Sequence, residues 1–240
     1  MEWPFVISGT KLMPVIWLVA MLFSGVAAFC IGLLSLRTSG VYFIMITLAF
    51  GQMFFFFAIS WPAYGGEDGL SIYIRNSFPG LNTLVPIQFF GICFAILCLV
   101  LWVNVRIANS PFGLALNAAR QSPQRAEAVG LDPFRLRLIA LVISGTICGL
   151  AGALFADLNR FVSPTMFSWQ MSGELIVFII LGGLGRTFGP VVGATLFVVM
   201  EHALGGISEF FLFFLGLLLL MVVLFARGGL YGVITGKSDR

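Results

Sequence analysis

Four polar side chains interrupt otherwise apolar stretches of this chain: Gln52, Glu174, Glu201 and His202. An ionisable group in a hydrocarbon layer is costly unless it faces protein or water, so each of these residues is a functional candidate. Glu201 and His202 fall near the end of their stretch, where water is available, and are read as interfacial anchors. Glu174 opens a short apolar segment that ends in glycines. Short, glycine-interrupted segments often line a transporter's central cavity. Glu174 is therefore either part of a pathway or its gate, or a helix-start carboxylate favoured by the dipole. Gln52 is uncharged and mid-span; it bonds between helices or faces the pathway. Other chemistry is not supported. There is no paired-carboxylate, Ser/His/Asp or Cys/His arrangement for catalysis, and His202 has no partner at metal-ligand spacing. Cys30, Cys93, Cys98 and Cys148 lie inside apolar stretches, form no CxxC pair, and read as small packing residues. The tail GVITGKS resembles a phosphate-binding loop, but its first glycine is one residue too close and no strand precedes it. Gly183, Gly185 and Gly189 miss the GxGxxG spacing. No nucleotide site is expected, so any ATP hydrolysis must come from another chain.

The elements that would position these residues are membrane spans. The 240 residues are 60% hydrophobic and 10% charged, with a mean hydropathy of +1.06. A soluble domain carries about a quarter charged residues. The net charge of +3 gives no reason to expect nucleic acid. Apolar stretches at 12–36, 41–61, 87–103, 138–156 and 210–226, with shorter ones at 171–181 and 191–204, give about seven crossings. The expected fold class is all-α, a polytopic transmembrane helix bundle. The N-terminal run MEWPFVISGTK lacks the pattern of a removed signal peptide, and the first span is expected to act as its own insertion signal. Small residues repeat every four positions at Gly145, Gly149 and Ala153, at Gly189 and Gly193, and at Ala28 and Gly32, a pattern of close helix packing. Phe54 to Phe57 read as lipid- or bundle-facing bulk.

Between the third and fourth long spans runs a polar interruption, 104–137, holding five of the thirteen Lys/Arg residues. Its middle is bounded as a short helix. Ser122 is a fitting N-cap, Pro123 suits the first helical position, and Gly130 suits a left-handed stop with Pro133 beyond. About two turns are too few to be stable alone. Such a helix either docks on a partner or rests on lipid headgroups or its own bundle. If this interruption is cytoplasmic, alternation brings Arg37, Arg186 and the tail to the same side. Ten of the thirteen basic residues then lie inside, and Lys11, Arg75 and Arg160 lie outside. That places the N-terminus outside and the C-terminus in the cytoplasm.

The stretch GLALNAARQSPQRAEAVGLDPFRLRLIALVISGTICGLAGALFA resembles the cytoplasmic loop and following helix of branched-chain amino acid ABC transporter permeases of the LivM type. The runs SPTMFSWQMSGELIVFIILGGLGRTFGPVVGA, LRTSGVYFIMITLAFGQMFFFFAISW and RGGLYG fit the same family in the same order, so the resemblance covers most of 34–232. It implies a permease domain over 12–226 with a coupling loop at 104–137, followed by a cytoplasmic tail at 227–240. In that family the loop carries a short coupling helix that docks on the cytoplasmic ATPase. Residue by residue, the implied coupling set is Arg120, Ser122, Arg125, Glu127, Ala128 and Gly130, with Glu127 to Gly130 as the EAxG core. The family's GYxGxxSxG-like motif and its additional N-terminal spans have no counterpart here, and Gln121-Ser122 stands where the family often has an acidic residue.

The resemblance further implies a non-enzymatic permease subunit of an ATP-driven importer in the bacterial inner membrane. Its partners would be ABC ATPase subunits, a second related permease, an extracytoplasmic solute-binding protein and membrane lipid. This chain itself would bind no cofactor, ATP being used by the partner subunits. The implied solute is a branched-chain amino acid, with urea or an amide within the same family's range. The competing expectation is a self-contained secondary transporter or channel. That mechanism needs ionisable residues in mid-membrane.

Overall fold

The computed structural model describes residues 12–62, 65–72, 76, 78, 83, 85–183, 185, 187–205 and 216. These residues form two compact units, divided after Met166. The first holds α1 (Met13–Ser35), α2 (Val41–Ile59), α3 (Pro86–Ala108), α4 (Pro111–Gln121), α5 (Pro123–Ala128) and α6 (Pro133–Asn159). Two-residue strands β1 (Leu70–Ser71) and β2 (Phe161–Val162) pair antiparallel in register Leu70 with Val162 and Ser71 with Phe161. The second unit holds α7 (Trp169–Gly182) and α8 (Gly189–Gly205). The fold is mostly helical, as expected for a membrane protein.

Helices α1, α2, α3 and α6 are long and apolar enough to cross a bilayer. At 1.5 Å per residue, the 27 residues of α6 reach about 40 Å, more than the roughly 30 Å of hydrocarbon. Helices α7 and α8 are apolar but shorter, and the expected last span, 210–226, lies outside the described residues except for position 216. Few side chains are buried and none on α2. Phe23, Tyr42, Phe56 and Ile87 are exposed. In lipid that is ordinary solvation, because the acyl chains are as apolar as the side chains.

The core of the first unit is the antiparallel seam between α1 and α6. A Cβ on Gly145 would meet that of Ala28 at 2.5 Å, one on Gly25 would meet Thr146 Cγ2 at 2.7 Å, and one on Gly149 would collide with Ser24. A Cβ on Gly32 would come within 2.7 Å of Leu138 and 2.8 Å of Leu141. Two of the three small-residue repeats, Ala28/Gly32 and Gly145/Gly149, thus serve one interface, where missing side chains let the backbones approach. The third works within the second unit. A Cβ on Gly193 would collide with the Phe178 carbonyl, and the rings of Phe178 and Phe197 meet edge to face with centroids 4.6 Å apart.

The polar interruption is more ordered than its sequence suggests. Helix α3 runs through Asn104 and Arg106 to Ala108, with the Arg106 guanidinium 5.5 Å from the centroid of the Trp102 ring. Helix α4 then starts on Ser110, whose hydroxyl accepts from Gly113 N at 3.3 Å. A Cβ on Gly113 would collide with the carbonyls of Ile107 and Ala108, so glycine permits the sharp turn between the two helices. The expected loop with one short helix is therefore two helices between the extended ends of α3 and α6.

Candidate functional site at the arginine-rich end

Helices α4 and α5 form an elbow capped at each joint. Ser122 ends α4 with its N–H on Ala118 O at 3.1 Å and begins α5 by accepting from Arg125 N at 3.4 Å. The six-residue α5 closes in a Schellman arrangement. Gly130 N donates to Glu127 O at 2.9 Å and Leu131 N to Ala126 O at 3.0 Å. Gly130 takes φ 85°, and a Cβ there would meet nothing within 4 Å. Glycine is required at this position by backbone conformation alone. Two residues later Asp132 caps α6, its carboxylate accepting from Phe134 N at 3.0 Å and Arg135 N at 3.2 Å.

The elbow is anchored on its inner side and open on its outer side. Ala119 and Ala126 are buried, and the Arg137 guanidinium donates to Ala119 O at 3.5 Å, joining the start of α6 to α4. Arg120, Arg125, Glu127, Ala128 and Gly130 are exposed, and Ser122 is half-buried. Val129 is 81% exposed. An apolar side chain so bare, flanked by Glu127 and Arg125, gives the elbow a charged rim around a greasy tip. Sequence reading placed Val129 inside the EAxG core without assigning it a role, since a single valine carries no motif.

The α1–α6 seam fixes which charges share an end. Gly32 lies against Leu138 and Leu141, so Arg37, just beyond α1, sits at the end that holds Arg135 and Arg137. Arg106 and the elbow arginines are at the same end, by chain continuity through α3 and α6. At the opposite end, β1 and β2 hold the segment between α2 and α3 against the residues that follow α6, including Arg160. Of the described arginines of the first unit, Arg160 alone lies there.

The two residues expected to line a pathway, Gln52 and Glu174, fall in different units and are described separately. Gln52 is half-buried on α2 and is absent from the main cleft of the first unit. That cleft, about 750 Å³ between α3 and α6, is bordered by apolar residues such as Phe90, Ile96, Leu150 and Leu154, with Arg160 at one end. Glu174 belongs to the second unit and is exposed. Ser168 caps α7 by accepting from Met171 N at 3.4 Å, which leaves Glu174 in the second turn, beyond the dipole-favoured start. Glu201 and His202 are exposed near the end of α8. No cluster of potential metal ligands occurs among the described residues. Asp157 lies one residue beyond the apolar stretch 138–156 expected from the sequence. It sits in the last turn of α6, 2% exposed.

Residues 5–223 match the family described as branched-chain amino acid transport system / permease component. The chain is 29% identical over 233 residues to the high-affinity branched-chain amino acid transport system permease protein LivM of Salmonella typhimurium, covering 87% of this chain and 55% of that protein. It is 28% identical over 236 residues to the protein of the same name from Escherichia coli, covering 88% and 56%. The ribose import permease protein RbsC of Bacillus subtilis is 25% identical over 171 residues, covering 63% and 52%. The chain thus spans about half the length of the curated relatives it matches. No solved structure matches it.

Proposed function

The chain belongs to the family of branched-chain amino acid transport system permease components, and from that premise we propose that it is a membrane-spanning subunit of an ATP-driven importer. The solute is a branched-chain amino acid, or a related small solute such as urea or an amide. ATP is hydrolysed on separate ABC ATPase subunits. A second related permease completes the membrane part, and an extracytoplasmic solute-binding protein delivers the solute. The setting is the bacterial inner membrane, with lipid around the bundle.

The observation that carries this reading is the elbow. A six-residue helix has too few internal hydrogen bonds to persist alone. Here it is fixed at both ends by Ser122 and Gly130, and its outer face is left bare. That is the form of a part that receives force from another molecule. Arg120, Ser122, Arg125, Glu127, Ala128 and Gly130 are the proposed coupling set, and Val129 joins them as the apolar tip. ATP binding would close the ATPases and press on α5, and α6 would carry the displacement into the bundle as alternating access.

Charge distribution supports the orientation. Cytoplasmic ends of membrane proteins are enriched in Lys and Arg, and the elbow end holds Arg37, Arg106, Arg120, Arg125, Arg135 and Arg137. The N-terminus then lies outside. With α7, α8 and 210–226 counted as crossings, the total is seven and the C-terminus is cytoplasmic. A pathway role for Gln52 and Glu174 belongs to the same proposal, carried by their polarity alone. A secondary transporter draws no such support. The Asp, Glu, Lys, Arg and His residues of the four long helices lie near helix ends, with Arg106 in α3 and Arg135, Arg137 and Asp157 in α6.

Co-purification tests the reading. Expressed with the candidate ATPase and second permease, the chain should bring down both, and uptake should need the binding protein. Isolation of the membrane subunits with no ATPase attached, under conditions that keep them folded, would remove the importer assignment.

A further inference from the structure

The end of α6 opposite the elbow carries a tie that neither the family nor the coupling set accounts for. Asn76, in the segment between α2 and α3, donates from Nδ2 to Asp157 Oδ1 at 2.6 Å, across 81 positions of sequence. Thr83, itself buried, donates to the Asn76 carbonyl at 2.8 Å and so ties these two positions together. Ile72 N donates to Arg160 O at 2.8 Å, and Leu70 and Ser71 pair with Val162 and Phe161. Gly69, at φ 76°, lets the backbones close in; a Cβ there would come within 2.6 Å of Val162 O. Leu70 to Ile72 and Asn76 are thus fixed to the last turn of α6 and the residues beyond it by a side-chain bond and a short strand pair.

Burying a carboxylate is expensive, and removing a hydrogen-bond donor from it adds to that expense. An apolar residue would cap the helix end more cheaply, so an aspartate here argues for a defined attachment over bulk stability. Its position gives the attachment a use. Helix α6 is unbroken from Pro133 to Asn159. It begins two residues after the Gly130–Leu131 turn that ends α5. Displacement at the elbow therefore reaches the Asp157 end through one rigid rod of about 40 Å.

We propose that Asp157 is a positioning residue which, through Asn76, fixes the α2–α3 segment to α6, so that this segment and the α5 elbow move as the two ends of one lever. The proposal rests on the importer reading for its consequence: solute delivery at the outer face is signalled to the ATPases along α6.

Two measurements test it, on the full chain and on the assembled importer. In the purified full chain, amide hydrogen exchange at Leu70 to Ile72 should speed up about tenfold in Asp157→Ala and in Asn76→Ala, the double variant being no faster than either single. The exchange of α1 should stay unchanged. In the assembled importer, both variants should keep basal ATP hydrolysis while stimulation by solute-loaded binding protein falls about fivefold or more. The exchanged pair Asn76→Asp/Asp157→Asn keeps one carboxylate and one amide and should restore most of the stimulation, a rescue that a merely space-filling role would not give. Unchanged exchange at Leu70 to Ile72 would overturn the attachment. Faster exchange with full stimulation would overturn the lever. Failure of the wild-type chain to bind any ATPase would instead count against the importer reading, and the exchange measurement would still decide the attachment.

Discussion

The hydroxyl of Ser24 on α1 donates to the carbonyl of Gly145 on α6 at 2.9 Å, while also lying 3.3 Å from Met21 O. Bonds of this kind between membrane helices average only about 0.6 kcal/mol. The seam therefore depends more on the close approach than on the bond. Gly149→Leu should split the seam, because any side chain there meets Ser24 and the Ala20 carbonyl, and overpacking of this kind costs about 1–3 kcal/mol or more. Gly152→Leu, on the same helix with nothing within 4 Å of its Cβ, should be tolerated. Thermal unfolding in detergent separates the two. Ser24→Ala should fall close to wild type, and a large loss there would mean the bond matters more than the fit.

Gly130 offers a cleaner separation of conformation from contact. Its φ of 85° is strained for any L side chain, yet space around it is open. A non-glycine residue in this conformation costs about 1–2 kcal/mol, and asparagine tolerates it better than alanine or leucine. Uptake should fall from Gly to Asn to Ala, with Leu close to Ala, and membrane insertion should stay intact throughout. Equal uptake across the series would remove Gly130 from the coupling set.

The fold was legible where chemistry is local. Ser122-Pro123 and Gly130 bound α5 within a few residues of sequence, and the glycine repeats of α1 and α6 report a seam because helix spacing alone puts them on one face. Helix α4 was missed although Ser110-Pro111 repeats the same start signal. What holds α4 is tertiary: Gly113 against the end of α3 and Ala119 beneath Arg137. The part Asp157 plays in α6 left no sequence signal for a similar reason, since Asn76, to which it bonds, lies 81 residues away. Glu174 was tied to a helix start that Ser168 sets one turn earlier. The cleft between α3 and α6 left no trace, because apolar lining is indistinguishable in sequence from apolar packing.

Val129 is the sharpest test of the elbow as a docking part. It touches little of its own chain, so Val129→Asp should leave thermal unfolding of the isolated subunit unchanged. If the bare tip enters an apolar groove on the ATPase, burying a carboxylate there without a partner is unfavourable. A loss of about 1.4 kcal/mol or more corresponds to a tenfold weaker association. Retained ATPase binding at wild-type strength would place the docking surface elsewhere on the elbow.

Asp132 joins the elbow to α6 in two ways that substitution can distinguish. Its carboxylate caps the helix through Phe134 N and Arg135 N, and it also pairs with the Arg135 guanidinium at 3.0 Å. The pair is exposed, 80% on the arginine and 48% on the aspartate, and exposed pairs contribute about 0–1 kcal/mol. The cap contributes about 1 kcal/mol. Asp132→Asn keeps an oxygen for the two amides and loses only the charge, so its unfolding temperature and its ATPase coupling should match wild type at ordinary salt. Asp132→Ala frees the first turn of α6 beside the α5 stop. It should weaken coupling more than overall stability, because the rest of α6 is held by the seam with α1 whereas its first turn sets how the elbow bears on the rod. An equal loss in both variants would assign the effect to charge and not to the cap, which raising the salt concentration would then reproduce in the wild type.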